Sequence, residues 1–395
     1  MRLLLLLIFC FSLCCCSTQK SGGYTNRKDL TITLDKVLFQ SVNQYKKLMK
    51  DVTADKMPRT YEKGRLLTTG SGGWVSGFYP GTLLYLYQFS NDSLLRREAL
   101  KRLTLLEKEQ FNKTIHDLGF MMYCSFGNAN RLFANKNYEE ILINSARSLS
   151  TRFNPAVGCI RSWNSDSSHF LVIIDNMMNL ELLMYAFKQT HDSSFYHIAV
   201  THANTTIKNH FRKDYSSYHV VDYNSTNGSV QKKHTHQGAA DESAWARGQA
   251  WGLYGFTMMY RETGDEKYLQ QAIHIADFIL HHANLPADKI PYWDFNAPDI
   301  PNAYRDASAA AIISSALLEL ANYSASKKKE YRDVAATILQ NLSKPPFKTT
   351  SDEAGGFILQ HSVGHLPGKS EIDVPLSYAD YYFVEAALRY KNQLK

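Results

Sequence analysis

The sequence predicts an all-α fold: an (α/α)6 barrel built from six helical hairpins in a single domain. Three observations lead there. Segments that are apolar on nearly every side alternate with amphipathic ones that carry their charges on one side. Short turns such as Thr263-Gly-Asp-Glu266 and Thr190-His-Asp-Ser193 join one kind to the other. The pairs recur with a loose period of roughly 60 residues. At 395 residues, 44% hydrophobic and 12% aromatic, the chain has enough apolar surface for one large closed core.

The chain opens on Met1-Arg2 and a leucine-rich run that is too short to span a bilayer, which reads as a signal peptide over residues 1–16. Its end, Leu13-Cys14-Cys15-Cys16, resembles a bacterial lipobox. Cys16 is the expected lipidated residue, with Cys14 and Cys15 as neighbouring alternatives; a plain signal peptide with a cysteine-rich end is the other reading. A lipid anchor would place the protein in the periplasm or on the outer membrane of a Gram-negative cell, and no acidic run follows that would direct it to the outer face. Residues 17–30, beginning Ser17-Thr-Gln-Lys-Ser-Gly-Gly23, read as a flexible tether, and residues 31–395 as the barrel. Beyond the signal only Cys124 and Cys159 remain, so no disulfide framework is expected.

The all-round apolar segments are residues 77–89, 118–133, 176–187, 245–260, 307–320 and 378–390, read as inner helices buried on every side. The amphipathic ones are 94–110, 138–152, 195–211, 267–282 and 330–342. Several carry an aromatic followed by alanines at three- or four-residue spacing, as in Tyr268, Ala272 and Ala276. Small residues at that spacing let helices approach closely, so these read as an outer layer. Residues 218–223 read as a short strand, and few others are expected.

Closure of six hairpins gathers the N-termini of the inner helices at one mouth. The polar residues preceding them should meet there: Trp74 and Ser76; His116 and Asp117; Asp175 and Asn176; Asp241, Glu242 and Arg247; Arg305 and Asp306; Tyr378 and Asp380. Asp175 stands out because it closes an apolar run and opens an apolar helix. A helix N-cap is the ordinary use of such an aspartate. Convergence with the other polar openings argues instead for a carboxylate set into a pocket, and positive helix ends at that mouth favour an anion.

Paired carboxylates, an arginine and several aromatic rings at one mouth suit acid–base chemistry on a sugar. The net charge of +7 weakly favours anionic ligands, and no dense basic run points to nucleic acid. There is no Gly-x-Ser-x-Gly elbow or dinucleotide fingerprint, and Gly70-Ser-Gly-Gly73 is a turn rather than a phosphate loop. No Cys/His spacing suggests a metal; His234 and His236 form only a loop pair.

Five blocks strongly resemble glycoside hydrolase family 88, the unsaturated glucuronyl hydrolases: Gly73-Trp-Val-Ser-Gly-Phe-Tyr-Pro-Gly81, His116-Asp-Leu-Gly-Phe120, Ile174-Asp-Asn176, Thr235-His-Gln-Gly238 and Ser243-Ala-Trp-Ala-Arg-Gly-Gln-Ala-Trp-Gly-Leu-Tyr-Gly-Phe256. Asp373-Val-Pro-Leu-Ser-Tyr-Ala-Asp-Tyr-Tyr382 extends the likeness to the C-terminus. The Trp-Ala-Arg-Gly-Gln-Ala-Trp block alone also suits the related unsaturated rhamnogalacturonyl hydrolases, which act on pectin fragments. The combination with the other blocks favours the glucuronyl family. A non-catalytic periplasmic sugar-binding lipoprotein is the reading from another class, and the presence of acids at both 117 and 175 argues against it.

The resemblance implies an (α/α)6 barrel that needs no metal or organic cofactor. It implies hydration of the C4=C5 enol ether that polysaccharide lyases leave on a non-reducing-end uronate, with release of the neighbouring sugar. By motif, Asp175 is the general acid/base and Asp117 holds ring hydroxyls and the partner carboxyl. Arg247 and His219 act around the substrate carboxylate and water, with Thr235 and Gln237 hydrogen-bonding nearby. The alternative for Arg247 is an ion pair with Asp241 or Glu242, and for Asp117 an N-cap. Trp74, Trp163 and Trp251 are candidates for stacking on sugar rings, each with a core role as its alternative. Ser362, Lys369 and Ser370, in a loop before the last inner helix, are candidates for receiving a sulfate; a solvated loop is the alternative. The expected substrate is an unsaturated oligosaccharide from glycosaminoglycan or ulvan.

Overall fold

The computed structural model describes residues 27–350 and 353–393. The signal segment with Cys14, Cys15 and Cys16, and residues 17–26 of the expected tether, lie outside the described residues. The tether ends earlier than expected, since residues 27–30 already belong to α1 (Arg27–Asp51). Leu30 starts a buried stripe that continues through Leu34, Val37, Leu38, Val42, Tyr45 and Leu48. That three- and four-residue spacing commits the segment to a helix lying on an apolar surface.

The hairpins then follow in order. They are α2 (Phe78–Ser90) with α3 (Ser93–Leu106), and a π-helical segment Gly119–Gly127 leading into α4 (Asn128–Phe133) with α5 (Lys136–Ser150). Next come a 3-10 turn Ile174–Asn179 leading into α6 (Leu180–Thr190) with α7 (Ser193–His210), and α8 (Ala246–Thr263) with α9 (Glu266–His281). Last are α10 (Ala307–Leu320) with α11 (Lys328–Leu342), and α12 (Ser377–Asn392). Neighbouring inner helices touch around a ring, α12 returns to α2, and α1 completes the outer layer against α2, α3, α11 and α12. Every residue of α10, and every residue of α8 from Ala246 to Met259, is buried. Nearly all the apolar core is one continuous cluster.

The two ends of the barrel differ for a local reason. Four inner helices end on a left-handed residue, and the next residue caps the outer helix: Asn91 then Asp92, Ala134 then Asn135, His191 then Asp192, Gly264 then Asp265. Each capping side chain accepts the N–H two residues on, worth about 1 kcal/mol per cap. Those turns are therefore tight. The long connections fall at the opposite end, where the inner helices begin, and they are free to build a site.

These connections carry the strands. Met57–Glu62 pairs with Arg65–Thr69, and Ser362–His365 with Ser370–Val374. The strand expected over 218–223 is Val220–Asn224, the centre of an antiparallel sheet between His169–Ile173 and Val230–His234. This sheet runs directly into the turn that carries Asp175. On the facing wall, α2 lies against the π-helical backbone. A Cβ at Gly77 would sit 2.2 Å from the Met121 carbonyl oxygen, and one at Gly81 would sit 2.4 Å from that of Cys124. Only glycine one turn apart allows that approach, and it fixes the segment that begins just after Asp117.

Candidate active site

Asp175 is not a helix cap. The 3-10 turn starts at Ile174, Ile173 holds the cap position, and no side chain bonds there. Its carboxyl is buried, and Oδ2 has no hydrogen-bond partner. Burial raises its pKa to about 7; Arg247 opposes this, and the charge of Asp117 adds to it. The Trp251 indole N–H lies outside strict hydrogen-bond geometry to any acceptor, yet it is near enough to the carboxylate to favour it slightly.

Asp117 is also not a cap, since the π-helical segment follows Leu118 with no side-chain bond at its start. Its pKa is likewise raised to about 7 by burial, moderated by Asn179 and Arg152. His116 Nε2 stands 3.1 Å from Asp117 Oδ1, and burial depresses the His116 pKa to about 3, so the ring is neutral. Asn179 ties the two acids' supports together. It accepts the Phe120 N–H at 3.3 Å and donates to Asn176 at 3.1 Å, while Asn176 donates to the Ile160 carbonyl at 2.8 Å.

His219 stands beside Asp175 in a fixed tautomer. Its Nδ1 accepts the backbone N–H groups of both His236 and Gln237 at 3.1 Å. That nitrogen therefore carries no proton, and the N–H is on Nε2, 3.7 Å from Asp175 Oδ2. Burial, followed by the cations and rings around it, holds its pKa well below the usual value.

Trp74, His116, Asp117, Phe120, Trp163, Ile173, Asp175, Gln237 and Arg247 line one pocket with about 430 Å³ of open space. Trp163 makes T-shaped contacts with the rings of His219 and His236. Trp74 packs against Phe78, Phe120 and Tyr378. The sequence places His116 at the mouth without marking a role for it. Phe120 and Ile173 were not expected to face the pocket, although Phe120 lies within a quoted motif; nothing in the sequence marks Ile173.

Of the other expected site residues, Trp251, Thr235, Ser362, Lys369 and Ser370 do not line the pocket. Trp251 is fully buried among Phe120 and Tyr382 and does not line the pocket, so it is a core ring rather than a stacking surface. Thr235 closes its own turn, its hydroxyl accepting the Gly238 N–H at 2.8 Å. Ser362 is buried with its hydroxyl unpartnered, and Lys369 and Ser370 are exposed at the far end of the 362–374 hairpin; none lines the pocket. Arg247 pairs with neither Asp241 nor Glu242. It meets Asp306 at 3.2 Å and donates to the Val363 and Gly364 carbonyls, the latter at 2.6 Å, with Trp245 and Tyr378 on its faces. Gln237 donates to the same Gly364 carbonyl at 2.9 Å. The hairpin is thus clamped over the mouth by two pocket residues. Of the other polar openings, Glu242 pairs with Arg212, Arg305 with Asp288, and Asp380 accepts the Ile358 and Leu359 N–H groups inside the wall.

A larger cavity of about 1190 Å³ opens at the opposite end of the barrel, with Phe120 bordering both. Its acids are already paired, Glu181 with Arg261 and Glu385 with Arg389.

The mouth is different. Two neighbouring carboxyls there hold protons near neutrality between indole and phenyl walls. On an (α/α)6 barrel that combination defines a glycosidase. No family model matches the chain. Known proteins do match it: it is 46% identical over 356 residues to an unsaturated glucuronyl hydrolase of Formosa agariphila, covering 89% of this chain and 88% of that one. Among solved structures it resembles an unsaturated glucuronyl hydrolase specific for heparin, with a TM-score of 0.89 and 47% identity over 92% of this chain and 98% of the other. It also resembles an aspartate-to-asparagine variant of the Streptococcus agalactiae enzyme complexed with dGlcA-GalNAc6S, with a TM-score of 0.80 and 26% identity over 93% of each chain. The chain belongs to the unsaturated glucuronyl hydrolases, glycoside hydrolase family 88.

Proposed function

We propose that this enzyme removes 4,5-unsaturated glucuronic acid from the non-reducing end of lyase-made glycosaminoglycan oligosaccharides, with Asp175 as the general acid and base. The observation that carries the reading is the pair of buried carboxyls, Asp117 and Asp175, in one pocket, each with a pKa raised to about 7. A proton must be delivered to carbon, so the donor has to keep it at neutral pH. Protonated Asp175 gives its proton to C4, and the C4=C5 electron pair forms the new C–H bond. Positive charge at C5, shared with the ring oxygen, takes up water, whose proton returns to the Asp175 carboxylate. The C5 hemiketal then opens to a ketone, C1 becomes a free hemiacetal, and the partner sugar leaves.

The remaining residues support that course. The fixed Nε2–H of His219 faces Asp175 and is suited to orienting the water or the carboxylate formed after proton transfer. Asp117, bordered by His116 and Asn179, is suited to ring hydroxyls. Trp74 and Trp163 offer apolar walls to the planar ring. Lys369 and Ser370, exposed on the hairpin clamped over the mouth, are suited to a sulfate on the next sugar. The likeness to a heparin-specific enzyme supports sulfated substrates. We carry the lipid anchor at Cys16 and a periplasmic or outer-membrane address as part of the same reading; loss of acyl labelling in Cys16→Ala tests it.

The test is loss of the ultraviolet absorbance of the enol ether on lyase digests of heparin, chondroitin, hyaluronan, ulvan and pectin. Turnover of pectin fragments alone would replace the proposal with a rhamnogalacturonyl hydrolase. Asp175→Asn should bind the unsaturated disaccharide but lose about 1000-fold or more in kcat. Near-normal turnover in that variant would remove Asp175 from the role.

A further inference from the structure

On the outer surface, far along the chain from either acid, a groove with about 1280 Å³ of open space runs between α1 and the loop that follows α11. Three lysines line it, Lys36, Lys344 and Lys348, and no acidic residue does among the described residues. No carboxylate forms an ion pair with any of the three among the described residues. Lys36 and Lys344 are exposed, whereas Lys348 is buried. Its ammonium donates to the Gln44 side-chain oxygen and, at 2.9 Å, to the Thr349 carbonyl, so both partners are neutral. Burial pushes its pKa down to about 8, and the charge of Asp380 only partly opposes this. Ser343, which also lines the groove and is nine-tenths buried, has a hydroxyl with no partner. Thr350, which also lines the groove, donates its N–H to Glu353 at 3.3 Å.

A buried ammonium normally comes with a carboxylate, because an unpaired buried charge is costly. Here the only carboxylate whose charge reaches the ammonium is Asp380, which forms no ion pair with it among the described residues; an unpartnered hydroxyl shares the groove, and two more ammoniums flank it. We propose that this groove is a second binding site, separate from the pocket at the mouth, for the sulfate and carboxylate groups of an anionic glycan segment. Polar lining from Gln44 and Ser343, with the apolar side chain of Ile32 at one edge, suits a sugar ring between its charged groups. A lipid headgroup would need a broader apolar rim than Ile32, Val37 and Pro345 supply. The choice of a glycan among polyanions rests on the function proposed above; the basic groove itself does not.

The experiment uses a heparin hexasaccharide with a saturated non-reducing end, which the proposed reaction cannot consume, titrated into the wild-type protein. The arms are Lys36→Ala/Lys344→Ala, whose exposed side chains can be removed without disturbing the core, and Asp175→Asn. Binding should weaken at least tenfold in the double variant and with added salt, remain in Asp175→Asn, and leave hydrolysis of unsaturated disaccharides by the double variant unchanged. Equal affinity in the double variant overturns the proposal. So does equal saturation of the groove by inorganic sulfate alone, or preferential binding of phosphatidylglycerol vesicles through the same lysines. If the protein never hydrolyses an unsaturated uronide yet the hexasaccharide binds and depends on the lysines, the site stands and the proposed reaction fails.

Discussion

Asp117 and Asp175 each give up a proton about three pH units later in the folded protein than a free aspartate does. Between about pH 4 and pH 7 the native state therefore holds protons that the unfolded chain releases, and stability falls as pH rises through that window. Asparagine at either position removes the cost. Asp117→Asn and Asp175→Asn should each be more stable than wild type at pH 8, by roughly 2–4 kcal/mol, and little different at pH 4. Chemical denaturation at the two pH values checks this; equal stability at pH 8 would mean that the carboxyls are not desolvated. The same shift gives an activity profile in which kcat/KM declines above about pH 7, as Asp175 loses the proton it must donate. His219 adds no limb of its own. With two N–H donors on Nδ1, its ring should remain neutral with the proton on Nε2 down to pH 5, which nitrogen chemical shifts in labelled protein report directly. Only the raised pKa of Asp175, through burial and the charge of Asp117, is legible at residue level. The sequence marks Asp175 as an acid in apolar surroundings, but not the unpartnered oxygen or the backbone cradle around His219, which comes from a loop 17 residues away.

At the scale of elements, the hairpin 362–374 depends on Arg247. The guanidinium forks onto two hairpin carbonyls and neutralises Asp306, which in turn caps α10. Arg247→Met should leave Asp306 buried without its counter-ion at a cost of about 3–5 kcal/mol, and release the hairpin. Hydrogen exchange should accelerate across 362–374 and KM should rise, while Arg247→Lys should restore part of the stability but not the hairpin's protection, since an ammonium cannot fork. If exchange in the hairpin is unchanged in Arg247→Met, the clamp is not what holds it. The inner and outer helices were readable because periodic burial is written locally. The hairpins at the mouth were not, because their strands are short and held by distant partners such as Arg59 with Glu371, at 2.6 Å. α1 was missed for another reason: lysines and glutamines dilute its apolar stripe, and part of its first turn was assigned to the tether. Chain order puts Lys369 and Ser370 on the connection before the last inner helix, and only the hairpin's pairing shows that they stand outside the pocket lining; Trp251 sits within a motif, and only packing shows it to be a core ring.

The whole barrel is tied at the end away from the pocket. Arg261 on α8 joins Glu181 on α6 and Glu319 on α10, the latter at 2.8 Å. Arg389 on α12 joins Glu319 again and donates to the Tyr254 hydroxyl at 2.8 Å. Glu385 accepts from Tyr85 on α2 at 2.9 Å, from Tyr254 at 3.1 Å and from Ser315 at 2.5 Å. Five of the six inner helices therefore meet in one charged network, at the end where tight capped turns already restrain them. The mouth, by contrast, is held by backbone contacts and a clamped hairpin. This division predicts that stability and activity respond to different ends of the molecule. Arg389→Leu strips Glu319 and Glu385 of a counter-ion inside the wall, and should cost about 3–5 kcal/mol, lowering the melting temperature by several degrees. Its kcat at 25 °C should stay within about twofold of wild type, because the folded molecules keep the pocket, and distant sites with no shared partners act independently. A variant that melts normally would show that the network contributes little to closure. One that melts early and also loses turnover at 25 °C would show that the two ends are mechanically coupled through Phe120, the side chain that borders both cavities.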